Sequence, residues 1–273
     1  MCEFCIQHGE GKKWYLQAKN YSEELFNEER KRYIAEFFAK IEETVLDDIG
    51  GLDRLITTDP AAAEIKRRSV MEKRKREHYG QVIPIEDVEQ ILDMSLIVVR
   101  MPCACRSILK GRFDARYCFG LFTFQPDPAP TLEYPDWTRD LEVLTMEDAK
   151  KALQKHDRNG LVHTVWTLIT PFVGVLCNCT ASDCLEFKNR LRLGLRQFFK
   201  AEYVASIDWE SCNGCRDCMK LCNFGAISYS PSLQKCYIDK FQCFGCGVCR
   251  AVCSNDAITL QDRNAIPMLA KDW

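Results

Sequence analysis

Eight of the seventeen cysteines stand in two runs of identical spacing, and these runs limit the C-terminal third to few folds. The first run is Cys212, Cys215, Cys218 and Cys222. After twenty residues the second follows as Cys243, Cys246, Cys249 and Cys253. Each reads C-x2-C-x2-C-x3-C. Thiolates at i, i+3 and i+6 on one tight loop can each reach a different iron of one cluster. Gly214, Gly245 and Gly247 let the backbone wrap closely, with positive φ where needed. A fourth thiolate three residues on has moved to the start of a helix and faces away. The flanks repeat as well, with Phe224-Gly225-Ala226-Ile227 after one run and Asn255-Asp256-Ala257-Ile258 after the other, so the segment is an internal duplication.

Residues 204–262 resemble a bacterial-type ferredoxin with two [4Fe–4S] clusters, in which the fourth cysteine of each run ligates the other cluster. The resemblance implies one cluster on Cys212, Cys215, Cys218 and Cys253, and a second on Cys243, Cys246, Cys249 and Cys222. Asn223 and Ser254 depart from the family, which has proline after each fourth cysteine. Structural zinc on C-x2-C pairs is the competing use of such cysteines.

With 47% hydrophobic and 28% charged residues, the 273-residue chain has an ordinary globular composition and room for two domains. It begins Met-Cys-Glu-Phe-Cys, without the apolar stretch of a secretory signal. The expected location is the cytoplasm, in surroundings low in oxygen, with the thiols serving as metal ligands rather than disulfides. The longest apolar run, 161–176, contains His163 and Pro171 and falls short of the ~20 residues a membrane span needs. Residues 208–273 carry seven acidic and seven basic side chains. Two clusters with eight thiolates would add about −4, making that domain acidic.

Cys2, Cys5 and His8 show C-x2-C-x2-H spacing, a partial metal-ligand pattern, with Cys2 and Cys5 the candidate ligands. Asn20 and Glu23 suggest a capping box, opening a helix from about Tyr21 to Asp48 that Gly50-Gly51 ends. Leu25, Phe26, Tyr33, Phe37, Ile41 and Val45 form its core stripe. The segment 64–79 is a basic helix, with Lys66, Arg67, Arg68, Lys73, Arg74, Lys75 and Arg76 inside eleven positions. It is either a solvated face or a dock for an acidic redox partner. No nucleic-acid-binding fold accompanies it, and nucleic acid is not an expected partner.

Leu96-Ile97-Val98-Val99 reads as a buried strand leading into Pro102-Cys103-Ala104-Cys105-Arg106. Phe172 to Leu176 reads as another, leading into Cys177-Asn178-Cys179, with Cys184 five residues on. Between them lie a proline-rich loop (125–136), a helix capped near Thr145 and a third apolar run, 161–169. Alternating strands and helices suggest an α/β sheet, whose ligands bind beyond the carboxyl ends of the strands. Both C-x-C pairs would then face one another as a third centre of Cys103, Cys105, Cys118, Cys177, Cys179 and Cys184. That centre would hold an Fe–S cluster, zinc, or a reactive thiol pair. Arg106, Arg112 and Arg116 would balance its charge or hold an anionic substrate. Cys236 is left over, and His163 reads as a core residue.

The expected architecture is α+β or α/β: an N-terminal helical region (1–95), a Cys-rich α/β domain (96–203) packed with it as one unit, and a small two-cluster ferredoxin domain (204–273). The run C-x2-C-x2-HGEGKKWYLQAKNYS, the PCACR stretch and the CNC stretch also make the whole chain similar to a group of ferredoxin-fused 4Fe-4S binding proteins of anaerobes. That resemblance implies oxidation–reduction chemistry without a particular reaction. No G-x-G-x-x-G or Walker loop opens a helix, so nucleotide cofactors and ATP hydrolysis find no support, and no Ser-His-Asp pattern stands out. Three roles remain open: electron relay to or from a further centre or partner oxidoreductase, Fe–S reductase, and docking subunit with structural zinc.

Overall fold

The computed structural model describes residues 1–112, 114–126 and 141–273. The expected proline-rich loop falls outside the described residues from position 127 on, and so does the side chain of Val45. The chain is a mixed α+β structure: a seven-stranded sheet flanked by helices, followed by a small module with two two-stranded sheets.

The N-terminal turn α1 (Glu3–Gln7) leads through short 3-10 turns into the long helix α2 (Glu28–Thr58). Its cap is Asn27, whose side chain accepts from Arg30 N at 3.0 Å, and not Asn20. Asn20 is buried and donates to the Trp14 and His8 carbonyls instead. The helix also runs through Gly50-Gly51. Glycine costs a helix about 1 kcal/mol relative to alanine, and here packing outweighs that cost. The helix packs there as a hairpin with α3 (Pro60–Glu77), whose flexible Lys66 side chain ends beside Gly51. Leu52, Ala63, Val70, Leu193 and Leu195 bury one another beside it. Asp59 and Pro60 start α3, the Asp59 carboxylate accepting from Ala62 N.

The sheet strands are β1 (Gly80–Ile83), β2 (Ile97–Met101), β3 (Cys118–Phe122), β4 (Glu142–Leu144), β5 (Val162–Thr167), β6 (Val173–Cys179) and β7 (Phe198–Phe199). Their spatial order is β4-β2-β3-β6-β5-β1-β7. Only β1 and β7 pair in parallel; the other pairs are antiparallel. The chain is thus α+β, one of the two expected classes, with a mixed and mainly antiparallel sheet, and the carboxyl-end rule of parallel α/β sheets does not locate a site on it. Helices α4 (Ile85–Met94) and α6 (Met146–Arg158) cover one face, where Ile83, Val165, Val173 and Leu176 join the N-terminal Phe4, Trp14 and Tyr15. Alternate residues Val82, Trp166, Val175 and Cys179 face the other side, toward α2 and α7 (Leu185–Leu193). Thr145 caps α6 as expected, accepting from Asp148 N.

The C-terminal module consists of β8 (Tyr203–Ile207), α8 (Asp217–Leu221), β9 (Ile227–Ser230), β10 (Lys235–Ile238) and β11 (Ile258–Asp262). Pairing of β8 with β11 brings its two ends together, and β9 pairs with β10. Among the described residues, no helix is long and apolar enough to cross a membrane.

Candidate metal centres

Two cavities lie inside the C-terminal module. One is lined by Cys212, Cys215, Cys218 and Cys253, with Cys236 beside them. The other is lined by Cys243, Cys246, Cys249 and Cys222. Each cavity thus gathers three cysteines of one run and the fourth of the other. The loops are shaped for close wrapping. Gly214 and Gly245 have φ of 71° and 70°, and a Cβ there would stand 2.2 Å from Gln234 O and 2.0 Å from Tyr203 O. Backbone amides point at sulfur: Ala226 N donates to Cys222 Sγ at 3.2 Å, Ala257 N to Cys253 Sγ at 3.3 Å, and Ala205 N and Gly245 N to Cys243 Sγ, each at 3.4 Å. Such N–H···S bonds are one means of tuning cluster potentials. Burial raises the pKa of Cys243, Cys246 and Cys249, so these thiols need a cation to lose their protons. Four sulfurs around a cavity with amide donors aimed at them fit a cubane cluster.

Six further cysteines meet on the α2 and α7 side of the sheet. Cys103 precedes α5 (Ala104–Lys110), which carries Cys105. Cys118 opens β3 and lies in register with Cys177 on β6, their sulfurs 3.6 Å apart. Cys184 precedes α7. The second C-x-C pair does not sit past its strand, as expected from the sequence. β5 pairs with β6 through Cys179, so Cys177 and Cys179 are strand residues two apart on one face. Asn178 between them faces the other way and joins His163, its Oδ1 2.5 Å from His163 Nδ1, while its amide donates to Tyr117 O. His163 thus braces the strand rather than joining the sulfurs.

The six thiols form a connected net. Hydrogen bonds from Cys118 and Cys179, with help from Arg106, hold Cys103 far below an ordinary thiol pKa. Bonds from Cys105 and Cys179 lower Cys184 likewise, and the donors themselves are raised. The net therefore favours thiolates at Cys103 and Cys184, the form that binds metal or attacks as a nucleophile. Arg106 is buried, with Nη1 3.4 Å from Cys103 Sγ and Nη2 3.2 Å from Asp183. Burial works against its charge, but Cys179 and Cys103 outweigh that and raise its pKa. Arg112 instead pairs with Asp114 at the surface. A cleft borders five of the cysteines and is otherwise walled mainly by apolar and aromatic groups, including Phe37, Phe38, His78 and Trp166.

At the N-terminus, Cys2 and Cys5 are buried with Glu202, a residue the spacing of the sequence did not signal. His8 is not part of this group and packs edge-on against Phe4. On α3, Arg67, Arg68, Lys73 and Lys75 have acidic partners within the chain, and Arg74 is buried.

The six-thiol face and the C-terminal module are in contact. Phe187 and Phe198 pack against Phe224 and Phe244, and Cys179, Cys184 and Cys246 belong to the same buried cluster. Asn223, where ferredoxins have proline, ties the two together: its Oδ1 accepts from Ala181 N and its amide donates to Gly160 O. No curated protein matches the chain. Residues 211–258 match the family model of the 4Fe-4S dicluster domain, so this stretch of the C-terminal module is similar to iron–sulfur domains.

Proposed function

We propose that the protein is an electron carrier with two [4Fe–4S] clusters in its C-terminal module and a third, thiol-bound centre on its sheet. Cys212, Cys215, Cys218 and Cys253 would hold one cluster, and Cys222, Cys243, Cys246 and Cys249 the other. Bound there, the clusters would supply one-electron oxidation and reduction. The observation that carries the reading is the crossed lining of the two cavities. The N–H···S bonds would set the potentials, and the Phe224–Phe244 contact would hold the second cluster against the six-thiol face. Cys103, Cys105, Cys118, Cys177, Cys179 and Cys184 outnumber the four ligands of one cluster, so iron–sulfur and zinc are both compatible with them. The setting is the cytoplasm of an anaerobe, in keeping with the resemblance to ferredoxin-fused proteins of such organisms. Electrons would pass to or from a partner oxidoreductase, for which the exposed Arg68, Lys73 and Arg76 of α3 offer a basic dock.

A second reading has its own support. The cleft beside the six thiols has the apolar and aromatic walls of a small-molecule site, with thiols at its edge. In that reading the protein is an iron–sulfur reductase, and the C-terminal module feeds electrons to its substrate.

Crossed ligation is tested by paired substitutions. Cys212→Ser/Cys253→Ser removes two ligands of one cluster and should leave about four irons in the module. Cys243→Ser/Cys253→Ser strikes both clusters and should leave almost none. The reverse pattern overturns the assignment.

A further inference from the structure

We propose that Cys2, Cys5 and Glu202 hold a single divalent metal ion, zinc by its ligand chemistry, that clamps the N-terminal turn to the strand entering the C-terminal module. The three ligand atoms lie within 4.8 Å of one another, and all three residues are buried. Bonds of about 2.0–2.3 Å to oxygen and sulfur set the ligands of a tetrahedral zinc ion about 3.5–3.8 Å apart, so the three atoms would spread by about half an ångström or a little more around the ion. Cys5 Sγ is 3.1 Å from Cys2 Sγ and 2.9 Å from Glu202 Oε1. Cys2 caps α1, which carries Cys5, and Cys2 Sγ accepts from Cys5 N, as a thiolate ligand does.

The charge balance asks for a cation. Glu202 is 5% exposed, yet among the described residues no lysine or arginine forms an ion pair with it. Arg263 feels its charge, but the Arg263 guanidinium donates to the carbonyls of Ala201, Tyr203 and Cys243. A buried carboxylate beside two buried thiols is costly unless metal or protons neutralise it.

The surroundings are those of a metal site. Glu202 Oε2 accepts from Asn264 at 2.8 Å, which orients the carboxylate from behind. Gln81, fully buried on β1, places Oε1 3.6 Å from Cys2 Sγ and is itself fixed by Trp14 and by Lys200 O. Its carbonyl oxygen is the fourth ligand. The ion would join α1, the central sheet and the β7–β8 connection, three parts of the chain with no local sequence relation. The inference is independent of the two-cluster reading.

The test is metal content and zinc X-ray absorption on the full chain, purified without oxygen. The expected result, besides any zinc that Cys103→Ser/Cys105→Ser removes from the six-thiol face, is one zinc per chain in a shell of two sulfurs at about 2.3 Å and two light atoms at about 2.0 Å. Cys5→Ser and Glu202→Gln should lose the zinc and keep the iron, and Asn264→Ala should weaken zinc binding ~10–100-fold. If these chains fail to fold, the shell of the zinc kept by a Cys103→Ser/Cys105→Ser chain, which loses any metal of the six-thiol face, still decides: three or four sulfurs per zinc overturn the proposal. A Cys2–Cys5 disulfide, free alkylatable thiols without zinc, or zinc retained by both Cys5→Ser and Glu202→Gln also overturn it.

Discussion

The Asn223 side chain accepts from Ala181 N at 2.8 Å, and this bond joins the residue after Cys222 to the loop between Cys179 and Cys184. Proline, the family residue at this position, has neither the acceptor nor the amide that reaches Gly160 O at 2.9 Å. The departure from the ferredoxin pattern is thus a contact between the C-terminal module and the six-thiol face. Asn223→Pro should destabilise the chain by about 1–3 kcal/mol, because Ala181 N and Gly160 O lose their partners. The eight module cysteines are untouched, so iron content should stay the same. Chemical denaturation beside an iron assay checks both points.

The rings of Phe224 and Phe244 stack with centroids 3.9 Å apart and planes 14° from parallel. Both are nearly buried, and each also touches an aromatic ring of the sheet domain. A double-mutant cycle of Phe224→Leu and Phe244→Leu should return a coupling of about 0.5–1.5 kcal/mol beyond simple burial. Additive effects would mean that the two rings are independent.

Arg106 is the cation of the six-thiol net, held between Cys103 and Asp183. Arg106→Gln leaves those anions without it and should cost about 3–5 kcal/mol. In metal-depleted protein it should also raise the pKa of Cys103, since Arg106 is among the groups lowering it. An ultraviolet titration of thiolate absorbance, compared with wild type, reads this shift.

His156 packs against the rings of Tyr117 and Phe119. Burial first, then His163, Arg106, Arg100 and Lys155, lowers its pKa from 6.5 to about 4. Above pH ~6.5 it is neutral in folded and unfolded chains alike. As pH falls below that value, the unfolded chain takes up a proton that the folded chain refuses. Stability should then fall by up to ~1.4 kcal/mol per pH unit until the folded ring also protonates near pH 4. His156→Phe should remove that one-proton slope between these two values, as measured by the pH dependence of unfolding. Equal slopes for wild type and variant would contradict the assignment.

The cysteine ladder was legible because its spacing is local. Strands β2, β5 and β6 and the Thr145 cap were legible for the same reason. Helix α2 was misplaced because Gly50-Gly51 reads as a stop, whereas the burial of Leu52 with Ala63 and Val70 of α3 is a tertiary fact. Cys177 and Cys179 were expected in a loop, although a two-residue spacing continuing an apolar strand is itself a sign of one strand face. Glu202 carried no signal, since its partners Cys2 and Cys5 lie about two hundred residues away in the chain.

The most direct measurement is iron, acid-labile sulfide and zinc per chain on protein purified without oxygen, beside the Cys103→Ser/Cys105→Ser variant. The account predicts about eight irons held by the C-terminal module in both proteins. It also predicts further metal, iron or zinc, that the variant loses from the six-thiol face. About four irons or fewer in the wild type, or identical metal content in the two proteins, would contradict it.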